Sequence, residues 1–337
     1  MFTAYRTHCL YCKLTLEVRC GAKGACIFNN IVIISASRRT DIPAYYSEWF
    51  FNRIKERFVY IRNPVTRQIS KINIEPELVD CIVFWSKNPE PLISGLNLIK
   101  EYAYYFQFTL NPYDSDIETG SVCKNKLIET FKKLSDATGP QKVIWRYDPV
   151  LLNKKYNILY HIDKFYEFAG KLKGYAEKVT FSFMDFYKKT EEAVKSLGIN
   201  EITNEEKNTI AANFSLAAKE NNFDIDSCAE DIDLSKYNIS HAKCIDAELI
   251  TKITGNCFSV KKDKNQRHEC GCVESIDIGE YNSCLNGCVY CYANRSQAVC
   301  CDNFKTHNPF SALLTGEANS GSIVKERKML SLRVVKS

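Results

Sequence analysis

At 337 residues, with 45% apolar side chains, the chain is long enough to bury a large core, either as one barrel of about 250 residues with appendages or as two domains. Its 45 basic and 40 acidic groups leave a formal charge of only +5, which excludes a strong polycation; the basic stretch KKDKNQRHE at 261–269 permits nucleic-acid contact but reads first as a solvated surface. No apolar run of 18 or more residues marks a membrane span, and MFTAYRTHCLYC lacks a basic region followed by an apolar signal core, so the 16 cysteines are expected in a reducing, cytoplasmic setting as thiols or metal ligands.

Residues 1–29 hold Cys9, Cys12, Cys20 and Cys26, four thiols suited to a closed 4Fe–4S cluster or an all-cysteine zinc site, and are read as a metal-binding appendage to a main domain over 30–337. The main domain opens with an apolar strand, IVIISAS at 31–37. Further strands are expected at FVYIRN from Phe58, CIVFWSK from Cys81, YYFQFTL from Tyr104, KVIWRY from Lys142, VTFSFMD from Val179 and FDIDSC from Phe223. They are short, β-branched and aromatic, and several are almost continuously apolar, as strands of a buried parallel sheet are. Amphipathic segments such as AYYSEWFFNRIKERF, KNKLIETFKKLSDATG and NILYHIDKFYEFAGKLKG alternate with them, which predicts an α/β fold: a nearly complete, TIM-like β/α barrel.

Polar residues collect where these strands run out: Arg38, Arg39 and Asp41, then Arg62 and Asn63, Lys87 and Asn88, Arg146 and Asp148, Asp185, and Cys228 with Glu230. In a barrel such positions share the C-terminal mouth. Arg146, Asp148, Asp185 and Glu230 are the candidates for gripping a polar substrate there. Five histidines, His8, His161, His241, His268 and His307, form no HExxH pair, which argues against metal-assisted hydrolysis.

Near the C-terminus, CLNGCVYCYAN sets Cys284, Cys288 and Cys291 in CxxxCxxC spacing. Three thiolates so spaced suit three irons of a cubane and leave the fourth iron open to a small molecule. The alternative is a zinc knuckle recruiting Cys270, Cys272, Cys300 or Cys301. A separate site could also draw on Cys257, Cys270 and Cys272 with Cys300 or Cys301, and Cys228 or Cys244 could supply ligands from elsewhere. The loop resembles the signature of radical S-adenosylmethionine enzymes and, over a shorter stretch, that of spore photoproduct lyase-like proteins. Together with SASRRTDIPAYYSEWFFNRI, FVYIRNP, DCIVFWSKNP, YYFQFTLNPY, VIWRYDPVLL and CGCVESIDIGEY, it is similar to the domain-of-unknown-function family 1848, over about residues 30 to 330.

That resemblance implies a 4Fe–4S cluster, S-adenosylmethionine as cofactor, a reducing partner such as ferredoxin or flavodoxin, and an unidentified substrate. Radical enzymes of that kind carry the cysteine loop after the first barrel strand, whereas here it follows seven candidate strands. A circular permutation accounts for the order if ECGCVESIDIGEY supplies a strand that lies beside IVIISAS. No GGE tripeptide is present near the expected position, so Ser35, Ser37, Arg38, Arg39 and Asp41 are the candidates for the methionyl carboxylate, amine or ribose. TDIP also reads as a helix start capped by Thr40 or Asp41. The rival class is a non-enzymatic iron–sulfur or zinc protein with structural or electron-transfer work.

Overall fold

The computed structural model describes residues 32–120, 122–256, 258, 261–318 and 322–327. Cys9, Cys12, Cys20, Cys26 and Cys257, and with them the expected appendage, lie outside the described residues.

Ile33–Ala36 (β1) leads into two short helices, Ile42–Tyr45 (α1) and Ser47–Glu56 (α2). Then come Phe58–Arg62 (β2), Ile69–Asn73 (β3), Cys81–Ser86 (β4), Glu90–Ile93 (α3), Tyr104–Thr109 (β5), Lys124–Thr138 (α4), Val143–Val150 (β6), Ile158–Leu172 (α5) and Lys178–Phe183 (β7). Glu191–Ser196 (α6), Asn204–Glu220 (α7), Asp224–Ser227 (β8), Ser240–His241 (β9) and Ala247–Thr254 (α8) precede Ile276–Asp277 (β10), Gln297–Lys305 (α9) and Val324–Glu326 (β11).

Eight of the strands form one all-parallel, barrel-like sheet in the order β10-β1-β4-β5-β6-β7-β8-β9. Alternate residues of its strands serve different partners. Ile34, Ala36, Ile82, Phe84, Phe106, Phe108, Trp145 and Tyr147 belong to the main core shared with the helices. Ile33, Cys81, Val83, Tyr105 and Ile144 pack instead with Ile245, Ile250, Cys272 and Val273, from the chain between β9 and β10. Each fully buried apolar side chain of this kind contributes about 1.5–3 kcal/mol. On the helix side the packing is aromatic: Trp145 stacks on Phe165 at 4.8 Å between centroids, and Phe165 on Phe214 at 3.8 Å.

One strand expectation is corrected. FVYIRN is a strand, but β2 pairs antiparallel with β3 in a separate three-stranded sheet completed by β11. The cause is the turn after it: the Asn63 side chain accepts from Val65 N and Thr66 N, both at 2.9 Å, and folds the chain back within a few residues, whereas a parallel crossover needs a long connection. Arg62 is consequently paired with Glu280 at 2.7 Å and does not line the mouth of the main sheet. β9, a two-residue, exposed Ser-His strand outside the expected set, extends the sheet beyond β8. The stretch just upstream of the cysteine loop does form a strand, β10, which lies beside β1 with Ile34 opposite Ile276 and Ser35 opposite Asp277. Among the described residues no helix is long and apolar enough to cross a membrane.

Candidate metal and cofactor site

The carboxyl ends of β1, β4, β6, β7 and β8 surround a cleft of about 550 Å³, closed on one side by the cysteine loop. At the base of that loop Asp277 ends β10 and gathers its surroundings. Its carboxylate accepts from Ser35 Oγ (2.9 Å), Ser37 Oγ (2.5 Å), Arg38 N (3.0 Å) and Gly279 N (3.0 Å), fastening the β1 and β10 exits together. Gly279 is required there, because a Cβ would collide with the Ser37 hydroxyl.

The loop is then held from outside the cleft. Tyr46 Oη donates to Ser283 O at 2.6 Å, Tyr45 Oη to Asn286 Oδ1 at 2.9 Å, Gly120 N to Asn286 O at 3.0 Å and Val289 N to Ile117 O at 3.0 Å. Gly287 turns the chain at φ +61°, where a Cβ would meet the Thr119 hydroxyl. So supported, Cys284, Cys288 and Cys291 are all half-buried and all line the cleft. Cys291 Sγ accepts from Ala293 N at 3.3 Å, an N–H···S bond that orients the sulfur. Burial pushes the Cys284 thiol well up and that of Cys288 to about 12, although Lys87 opposes the latter, so charge on these sulfurs calls for a cation. Among the described residues no three His, Cys, Asp or Glu side chains already surround one ion-sized point. The donor set nevertheless fits an iron cluster: soft ligands, one face of one cleft, and backbone support.

Behind the loop lies a buried polar network that the sequence did not expose. Glu118 accepts from Lys87 Nζ (2.7 Å), Tyr290 Oη (2.5 Å), Asn111 Nδ2 (3.1 Å) and Lys124 Nζ (3.2 Å). Burial alone would raise its pKa, but Lys87 and Lys124 hold it down to about 2. The aromatic of CVYC is thus an anchor: Tyr290 ties the loop to β4 and to the approach to α4.

The residues expected to hold the cofactor divide. Ser37, Arg38, Arg39 and Asp41 line the cleft, whereas Ser35 is buried beneath it on Asp277. Arg38 rests over Trp85, 5.9 Å from its ring centroid, and Arg39 over Tyr281 at 5.0 Å. Asp41 caps α1 through Ala44 N (3.1 Å), and its other oxygen accepts from Lys87 N (2.8 Å) and Asn286 Nδ2 (3.0 Å). Burial raises its pKa against those bonds.

Of the residues expected to grip a substrate, Arg146, Asp148 and Asp185 line the cleft. Arg146 pairs with Asp148, which also accepts from Ser182 Oγ. Burial opposes the Arg146 charge, yet Asp148 holds its pKa well above the ordinary value. Asp185 is bound by both terminal nitrogens of Arg267 and by Tyr187 Oη at 3.2 Å. Glu230 is not among the lining residues: it accepts from Phe183 N at 2.8 Å, and burial pushes its pKa up to about 7.

A parallel sheet with its cleft at the carboxyl strand ends, walled by a three-cysteine loop, defines a β/α protein with a thiol-rich site at its mouth. The family model described as "Domain of unknown function (DUF1848)" matches residues 33–293, from β1 to the end of the cysteine loop, and the chain belongs to that family. A search of the curated proteins finds no match.

Proposed function

We propose that the chain is a cytoplasmic radical S-adenosylmethionine enzyme that holds a 4Fe–4S cluster on Cys284, Cys288 and Cys291. The observation that carries the proposal is that these thiols and the β1-end arginines face one cleft, with Asp277 binding the two strand exits together. On this reading β10 acts as the first strand of a permuted barrel. When bound, the reduced cluster and S-adenosylmethionine supply one-electron chemistry that yields a carbon radical for hydrogen abstraction.

The chain's own residues supply placement. Arg38, set against Trp85, offers a planar fork for the methionyl carboxylate. The Glu118 network fixes the loop and holds Tyr290 in place at the cleft wall. Arg146 with Asp148, and Asp185 with Arg267, set charge pairs on the opposite wall, where a polar substrate would dock. The electron would come from a small reducing protein such as ferredoxin or flavodoxin.

The test is iron and sulfide content of anaerobically purified protein, with electron paramagnetic resonance of the reduced form, with and without S-adenosylmethionine. A cofactor-induced spectral change that is lost on replacing Cys284, Cys288 and Cys291 by alanine is expected. A spectrum indifferent to both cofactor and mutation would favour a structural or electron-transfer protein instead.

A further inference from the structure

Four cysteines outside the CxxxCxxC loop meet on the far wall of the same cleft. Cys228 Sγ lies 3.4 Å from Cys244 Sγ; Cys272 Sγ accepts from the amide of Ile245, the residue after Cys244, at 3.4 Å, and Cys270 stands two residues before Cys272. Cys244, Cys270 and Cys272 are buried, Cys228 is half-buried, and all four line the cleft.

We propose that Cys228, Cys244, Cys270 and Cys272, which do not yet surround one point, close around a single zinc ion as a tetrathiolate site that fastens the two edges of the main sheet. The Cys228–Cys244 contact favours one ion. Tetrahedral zinc with bonds near 2.3 Å sets its sulfurs about 3.8 Å apart, a few tenths of an ångström from the observed contact. A disulfide would need a separation of about 2.05 Å. A cubane distributes its ligands over separate irons and needs them farther apart.

The surroundings match an anionic centre. One zinc with four thiolates carries two negative charges, and Arg146 Nη1 donates to Cys244 Sγ at 2.9 Å while the Ile245 amide donates to Cys272 Sγ at 3.4 Å. Such bonds to ligand sulfurs orient them and offset their charge. Binding would release to solvent the proton of each thiol that ligates as thiolate.

Topology supplies the reason for a staple at this point. Cys228 follows β8, Cys244 follows β9, and Cys270 and Cys272 precede β10. β9 and β10 are the two edges of the sheet, each two residues long, and among the described residues no ladder pairs them. The chain between them is held near the site by Val273 N to Ile245 O at 3.2 Å and by a single bridge between Lys262 and Val273. One ion on four thiols would join β8, β9 and the approach to β10 where hydrogen bonding does not.

The proposal is independent of the radical chemistry, and its test separates the two. Full-length protein, purified without oxygen and loaded with zinc, is alkylated with and without a strong chelator, and each cysteine is followed by mass spectrometry. Slowing of alkylation by tenfold or more at Cys228, Cys244, Cys270 and Cys272 together, reversed by chelator, is expected. The same protection should survive Cys284/Cys288/Cys291→Ala, which removes the proposed cluster, and zinc content should fall by one ion per chain in Cys244→Ser/Cys272→Ser. Equal alkylation with and without chelator overturns the site, as does a Cys228–Cys244 disulfide in the zinc-loaded protein. Loss of iron and sulfide, and not of zinc, from the double variant overturns the single-ion assignment. If the double variant does not fold, footprinting of the unmutated chain still decides the matter.

Discussion

The helix-packed side of the main sheet and its mouth use burial in opposite ways. Behind the strands, Trp145, Phe165, Phe181 and Phe214 meet ring to ring, and His161 beside them has both nitrogens satisfied by Tyr147 Oη and Leu151 O at 2.8 Å. At the mouth, Arg146, Asp41, Lys87, Glu118 and seven thiols are buried or half-buried within or against one cleft. The first region stabilises the fold by itself. The second concentrates charge whose cost is offset only by specific partners, an arrangement found where binding or chemistry is performed.

The sharpest contrast comes from deleting one ring behind the sheet. Phe214 is fully buried, stacked on Phe165 at 3.8 Å and edge-on to Tyr147 and Phe181. Phe214→Ala should cost about 3–5 kcal/mol in denaturant unfolding. The metal content per folded molecule should not change. A loss of metal stoichiometry in the folded fraction would show that the two regions are not separable.

The corresponding cut at the mouth is Lys87→Met, which leaves the buried Glu118 carboxylate with Lys124 as its remaining cation. A cost of about 3 kcal/mol is expected, because the buried carboxylate loses the nearer of its two cations. Here, unlike at Phe214, loading of the cysteine loop should weaken too, since Tyr290 shares the same anchor. A variant of unchanged stability would sink the view that this ion pair holds the loop.

His161 distinguishes the regions by pH. Burial pushes its pKa down from 6.5 to about 4, so the folded state favours the neutral ring. The stability it contributes is fully present above pH 6.5 and lost as the pH falls toward 4, about 3 kcal/mol in all. Unfolding measured across that window should show the loss, and His161→Gln should flatten it. An identical slope in the variant would assign the acid sensitivity to the mouth instead.

These differences also explain what could be read from the chain. β4, β5, β6 and β7 declare themselves because both faces are covered and the residues run apolar for most of their length. β2 has the same character, yet its sheet is chosen by the Asn63 turn, not by its own residues. β9 is an exposed Ser-His pair and carries no pattern. Cys284, Cys288 and Cys291 are legible because their spacing is local. Cys270 and Cys272, with Cys228 or Cys244, can be named from the chain as a further candidate set, but Cys228 and Cys244 stand 16 residues apart and Cys272 meets Ile245 across 27, so only the folded chain brings them together. Glu118 lies in a loop without a motif, and its link to Tyr290 spans 172 residues.

The smallest expected effect is a control far from both regions. Thr203 opens α7 with a capping box: its hydroxyl accepts from Glu206 N at 3.2 Å, and the Glu206 carboxylate accepts from Thr203 N at 2.8 Å. The box is exposed, so water replaces part of what is lost, and Thr203→Ala should cost about 1 kcal/mol. α7 supplies Phe214 to the aromatic stack, which makes the pair of variants a calibration of one helix from its end and from its middle. A cap variant as damaging as Phe214→Ala in the same denaturant titration would mean that α7 docks only once its first turn is formed. The separation between a self-sufficient core and a partner-dependent mouth would then have to be redrawn around that helix.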